Sequence, residues 1–261
     1  MMDFYKGEVI LINKPLTWTS FQVVNKMKYI IKTQEGRVKK QEINHHPDLV
    51  EGQQPITNKL LPPTKLKIGH AGTLDPLATG LLIVCTGKQT KNIEQYQAQE
   101  KEYTGTFFIG ATTPCFDLEK SIDFYYPTEH VTAESIYNAT KQFIGTIEQT
   151  PPLFSAIKIN GQRAYNIARA GETAEIKSKL ITIKEFEITR IDLPYVDFKV
   201  ICSKGTYIRS LVRDFGIALN SGAHLTALCR TRIGNYKLSD AKTLEDFENS
   251  IKETIVKVEG N

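Results

Sequence analysis

The sequence predicts an α+β fold with a central mixed or antiparallel sheet flanked by helices. Apolar, β-branched runs of strand length recur along the chain, and amphipathic helical stretches fall between them in no strict βαβ alternation. A hydrophobic content of 41% beside 24% charged residues matches a globular chain with a sizeable core. No apolar run approaches the roughly 20 residues a membrane-spanning helix requires. The opening MMDFYKGEVILINKP lacks the length and cleavage site of a secretory signal. A cytoplasmic location is therefore expected. Cys85, Cys115, Cys202 and Cys229 form no C-x-x-C pair, which fits reduced thiols and argues against a zinc cluster.

The elements are expected in the following order. Residues 8–12 read as a strand and Asn13-Lys14-Pro15 as a turn. A helix follows, capped by Thr19 or Ser20, with Phe21, Val24, Met27 and Ile31 at helical spacing. Across 33–63, clustered Gln, Lys, His and Pro without periodicity predict a basic polar insertion or mobile loop. Residues 81–85 form an apolar strand, 88–95 a short helix and 103–110 a β-rich strand. A long acidic loop is expected at 112–128 and a helix at 133–143. Further strands are expected at 153–159, 179–190 and 196–203, and helices at 164–170 and 207–219. The pattern Thr243 to Asp246 is a capping box opening a last helix through Ile251. One domain over 1–251 and a polar tail at 252–261 account for the chain.

Net charge is only +4, so the whole chain does not argue for polyanion binding, but its charge is uneven. Nine Lys/Arg face four Asp/Glu from Lys26 to Lys67, and five basic residues face only Asp214 from Lys204 to Arg232. Such patches suit phosphate contact with release of counterions, although a solvated face reads the same way.

The segment 69–80, GHAGTLDPLATG, packs three glycines and a proline into an irregular loop that the following strand anchors, so Asp75 can be presented rigidly. An Asp before Pro is by itself an ordinary turn residue. The segment nevertheless resembles the catalytic motif of the TruB family of pseudouridine synthases. Agreement continues in order through Asn13-Lys14-Pro15 with Trp18-Thr19-Ser20, Lys101-Glu102-Tyr103 and PPLFSAIKINGQRAYNIAR at 151–169. It ends with CSKGTYIRSL at 202–211 and Leu228-Cys229-Arg230, so the resemblance spans about residues 8–236.

The resemblance implies a pseudouridine synthase fold with an RNA cleft. It also implies a monomer, without obligate protein partner, that isomerises uridine 55 in the T loop of tRNA. Asp75 would be the nucleophile, Arg209 its paired cation, and Tyr103 the ring that stacks on uracil and assists loss of the C5 proton. Tyr207 and Leu228 would line the uracil pocket, and His70 would contact or replace the displaced base. Lys14, Lys158 and Arg230 would meet phosphates. The chemistry breaks the N1–C1′ bond, rotates the base and rejoins it through C5, with no redox change, so neither metal nor organic cofactor is demanded. A carboxylate able to form a covalent intermediate is demanded, whether it attacks C1′ or C6. The base must also be extruded from the folded loop, at about a few kcal/mol.

Some positions depart from the family pattern. The 33–63 spacer is long, and His45-His46 lacks companion ligands, so no metal site is expected. Cys229 stands where many members carry arginine, and the 112–117 loop differs. The chain is expected to be a short form without the family's C-terminal RNA-binding domain. Two alternatives compete: a catalytically silent tRNA-binding module or folding chaperone, and a hydrolase using Asp75 as a glycosidase-like nucleophile. The hydrolase lacks a second motif-placed carboxylate.

Overall fold

A computed structural model of the chain describes residues 3–44, 65–155, 157–159, 161–165, 170 and 176–259. The chain divides into two compact units, one formed by Met1–Pro76, Gly80–Gln97 and Leu238–Asn261, the other by Leu77–Thr79 and Ala98–Lys237. Both are α+β, with antiparallel strand pairing and flanking helices, as expected.

In the first unit, β1 (Val9–Lys14) and β2 (Ile68–His70) each pair antiparallel with β3 (Ala78–Thr86). Helix α1 (Ser20–Asn44) starts where Thr19 and Gln22 exchange bonds: Gln22 N–H donates to Thr19 Oγ1 at 3.1 Å and Thr19 N–H to Gln22 Oε1 at 2.7 Å. Its buried face is Val23, Val24, Met27, Ile30 and Ile31, packed with Ile10, Ile12, Leu82 and Val84 of the strands and Phe247 of the C-terminal helix. Phe21 is 67% exposed, because it projects from the side opposite that face. The helix continues to Asn44, so the first part of the expected 33–63 insertion is helical. The run Arg37-Val38-Lys39-Lys40-Gln41-Glu42 holds helix-compatible residues and no stop signal. Residues 45–63 of that insertion, His45 and His46 among them, lie outside the described residues.

The capping box at Thr243 and Asp246 is present, with Asp246 N–H donating to Thr243 Oγ1 at 3.0 Å. The helix it opens, Leu244–Glu259, runs past Ile251 through most of the expected tail. After β3 the chain enters helix α2 (Ile93–Ala98) through a 3-10 turn.

The second unit holds the longer strands. They are β4 (Lys101–Ile109), β7 (Gly145–Gln149), β10 (Lys179–Asp192), β11 (Tyr195–Cys202) and β12 (Ala223–Ile233), in the spatial order β12-β4-β11-β10-β7. Between β4 and β7 lie the hairpin β5 (Ala111–Thr112) with β6 (Phe124–Tyr125), inside the expected acidic loop, and helix α3 (Ala133–Thr140). Two-residue strands β8 (Lys158–Ile159) and β9 (Gln162–Arg163) replace the longer strand expected at 153–159. Of the helix expected at 164–170, residues 164 and 165 are helical and 166–169 lie outside the described residues. Helix α4 (Ile208–Ala218) precedes β12, and β13 (Tyr236–Lys237) pairs with it. Phe107, Phe143, Phe186, Phe198 and Phe215 form a continuous aromatic core, with ring centroids 5.2 to 6.2 Å apart.

Candidate active site

The first unit positions the loop that carries Asp75. Gly69 and His70 end β2 opposite Cys85 and Val84, which fixes where the loop departs. Gly72 and Gly80 adopt φ of 100° and 101°, values that a Cβ disfavours, so glycine is required at both bends. The backbone is then pinned on both sides of the aspartate. Before it, buried Ser20 accepts from Leu74 N–H at 2.9 Å and donates to Leu74 C=O at 3.3 Å. After it, Pro76 C=O accepts from Thr17 N–H at 2.9 Å and from the Lys14 ammonium at 3.3 Å. Asp75 is half-buried between these anchors.

Lys14 is fully buried, and its ammonium also donates to Pro15 C=O at 2.9 Å and Trp18 C=O at 2.5 Å. A side chain so enclosed offers no surface to a phosphate, and its contacts make it a support of the Asp75 loop. Arg230, 1% exposed, is likewise enclosed. Burial thus counts against the phosphate role expected of these two residues.

The second unit brings the other expected residues together on and beside β4. Tyr103 lies between Arg230 of β12 and Val200 of β11 and is 8% exposed. Leu228, half-buried, stands opposite Gly105, where a Cβ would come within 2.5 Å of Ala227 O and 2.9 Å of the Phe198 ring. Tyr207 is the half-buried N-cap residue of α4, and Lys179 Nζ lies 4.5 Å from its ring centroid. Arg209, in the first turn, is 3% exposed. Its guanidinium donates to Cys115 C=O at 3.1 Å and Phe154 C=O at 2.9 Å and pairs with Asp117 Oδ2 at 3.5 Å. A buried cation held by a carboxylate and two carbonyls has its charge compensated and its direction fixed.

Asp117 was not singled out by sequence reasoning. It is buried, accepts from Glu119 N–H at 3.0 Å, and its own carbonyl accepts from Thr113 Oγ1 at 2.6 Å. Ser20 was noticed only as a helix cap. Lys158 falls on β8, with its side chain outside the described residues.

Burial also shapes the local charge. It lowers Lys101, at the start of β4, to a pKa of about 8, helped by the positive charges of Arg230 and Lys204 and opposed by Cys202. Lys179 is lowered by burial. Among the described residues no group of His, Cys, Asp or Glu is arranged to hold a metal, and no helix is long and apolar enough to cross a membrane.

The fold and the comparisons with known proteins together define a pseudouridine synthase, an isomerase. The chain belongs to the TruB family: residues 59–208 match the N-terminal domain of TruB family pseudouridylate synthases, and 209–257 match the tRNA pseudouridylate synthase B C-terminal domain. It is 54% identical to tRNA pseudouridine synthase B of Flavobacterium johnsoniae, over 96% of this chain and 98% of that one. Identity to tRNA pseudouridine synthase B of Parabacteroides distasonis is 49%, over 99% of both. A chain of an H/ACA RNP bound to a substrate RNA containing 2′-deoxyuridine is similar at TM-score 0.61 and 25% identity, over 94% of this chain. A chain of a Cbf5-Nop10-Gar1 complex is similar at 0.63 and 28%, again over 94%. This protein spans about half of those two solved chains, 53% and 54%.

The match over 209–257 corrects the expectation of a short form lacking the C-terminal domain. Those residues supply α4 and β12 to one unit and the C-terminal helix to the other. The family's C-terminal segment is thus integrated into the folded units, and a search for a module after Ile251 overlooks it.

Proposed function

We propose that the protein converts uridine 55 in the T loop of tRNA to pseudouridine, in the cytoplasm and as a monomer, with Asp75 as nucleophile. The observation that carries this reading is the double anchoring of the backbone around Asp75, through Ser20 at Leu74 and through Lys14 and Thr17 at Pro76. A reacting carboxylate held in one place spares the reorganisation that a mobile loop would require.

The Asp75 carboxylate adds to C1′ of the ribose or C6 of the uracil, and the N1–C1′ bond breaks. The base, free or held through C6, turns; C5 bonds to C1′, the bond between the Asp75 carboxylate and carbon is released, and the C5 proton leaves as the C5–C6 double bond of the uracil is restored. Arg209, held by Asp117, is the cation that the family pattern pairs with the nucleophile. Tyr103 stacks on the base and assists removal of the C5 proton. Tyr207 and Leu228 wall the pocket, and His70 meets the base or the space it vacates. Phosphate contact rests on Lys158 and exposed basic residues; Lys14 and Arg230 act from inside the fold. The isomerisation has no redox step and requires no cofactor.

The reading is tested by incubating unmodified tRNA transcripts with the protein and mapping pseudouridine along the whole RNA. A single new pseudouridine at position 55 is the expected result. Its absence, or modification confined to other sites, would overturn the proposal.

A further inference from the structure

Helix α4, which carries Arg209 behind its N-cap residue Tyr207, starts without help from its own cap side chain. Tyrosine has no group that can fold back on the first-turn amides, so something else must fix this end. The adjoining sheet supplies it. Gln149, the last residue of β7 and 1% exposed, turns its carboxamide edge-on to Tyr207. Its Oε1 accepts from Tyr207 N–H at 2.8 Å, and its Nε2 donates to Tyr207 C=O at 3.1 Å. The orientation of the amide is unambiguous, since a backbone N–H only donates and a carbonyl only accepts. Gln149 thereby gives residue 207 both hydrogen bonds that a neighbouring strand would give.

The residue paired with Gln149 across the sheet is Lys179, whose ammonium lies over the Tyr207 ring. Gly205, at φ 80°, leaves room for it: a Cβ there would sit 3.3 Å from Lys179 Nζ. One rung of the β7–β10 ladder therefore contacts both the backbone of Tyr207 and its ring. The chain just beyond adds further grips, with Ser210 Oγ donating to Thr150 C=O at 2.8 Å and Arg209 to Phe154 C=O at 2.9 Å.

We infer that Gln149 is a positioning residue for the isomerisation, setting the placement of Tyr207 and, through the first turn of α4, of Arg209. The inference rests on the reading of Tyr207 and Arg209 as base-wall and nucleophile partner. Gln149 is not a catalytic residue: it acts through the backbone of residue 207, so its loss should reduce the rate of the bound complex while leaving RNA affinity alone.

The experiment compares the native chain with Gln149→Glu and Gln149→Leu by single-turnover rate at saturating T-arm RNA, RNA Kd and thermal midpoint. Gln149→Glu keeps the acceptor for Tyr207 N–H and, with its carboxyl ionised, sets an oxygen against the Tyr207 carbonyl in place of the donor, so its folded fraction is measured beside its rate. Gln149→Leu loses both. The expected result is a single-turnover rate lowered about tenfold by Gln149→Glu and about a hundredfold by Gln149→Leu, in soluble folded protein with Kd within about threefold of native. An unchanged rate in folded Gln149→Glu overturns the inference. So does a rate loss matched by the loss of folded protein, or a weakened Kd with a native rate at saturation. A parallel Tyr207→Ala variant separates the two readings: native turnover there would refute the role of Tyr207, whereas an inactive native chain would refute the reaction.

Discussion

At the residue scale, the environment of Arg209 determines what each neighbour contributes. Asp117 offsets the charge of a cation that is almost wholly buried. Asp117→Asn keeps the shape but leaves that charge to carbonyl dipoles, and is expected to cost about 3 kcal/mol in denaturant unfolding and at least about tenfold in turnover. Native stability and rate in this variant would contradict the pairing. Lys14 allows a sharper separation. As a loop support, Lys14→Met should lower turnover while leaving the salt dependence of RNA binding unchanged. As a phosphate contact, it should reduce the slope of log K against log salt by about one. Asp75 was legible in the sequence because its loop is written contiguously in twelve residues. Asp117 and Gln149 were not, since their partners lie far along the chain, 58 residues away for Gln149 and Tyr207. No local pattern distinguishes such residues from any polar loop or strand-end residue.

At the element scale, strands with regular alternation were legible and interrupted ones were not. β10 and β11 fall close to their expected bounds, while β12 was overlooked although it carries Leu228 and Arg230. Its register shifts between Leu225 and Ala227 and again between Arg230 and Arg232, and each shift resets the inside–outside alternation from which a strand is recognised. β7 is a five-residue strand at the end of the sheet, too short to show a period. β12 approaches β4 closely at Gly105. Gly105→Ala places a methyl against Ala227 O and the Phe198 ring, and is expected to lower stability by about 1 to 3 kcal/mol. A thermal midpoint equal to native would show that the strands yield there at no cost.

At the scale of the whole molecule, stability should depend on pH through groups that folding buries. Lys101 binds its proton less tightly when folded, near pH 8 against an ordinary 10.5. Above pH 8 the unfolded chain therefore holds more protons, and stability rises with pH. Cys85 and Cys202 oppose this, because burial raises both thiols from 9.0 to about 11, so stability falls as pH climbs above 9. A rise between pH 8 and 9 followed by a decline is expected from denaturant unfolding, and Lys101→Met should flatten the rise to the part that buried Lys179 contributes; parallel curves for the two proteins would contradict the assignment. The α+β class was legible from composition and element pattern. The integration of the C-terminal segment was not, because its strand and helices join units whose other parts lie far away in sequence. The central claim, that Asp75 drives an isomerisation at uracil C5, is tested most directly by tritium release from T-arm RNA labelled at C5, comparing the native chain with Asp75→Asn. Joining C5 to the ribose must expel that hydrogen, so release by the native chain alone is the predicted result. Tight RNA binding with no release from either protein, or equal release from both, would contradict it.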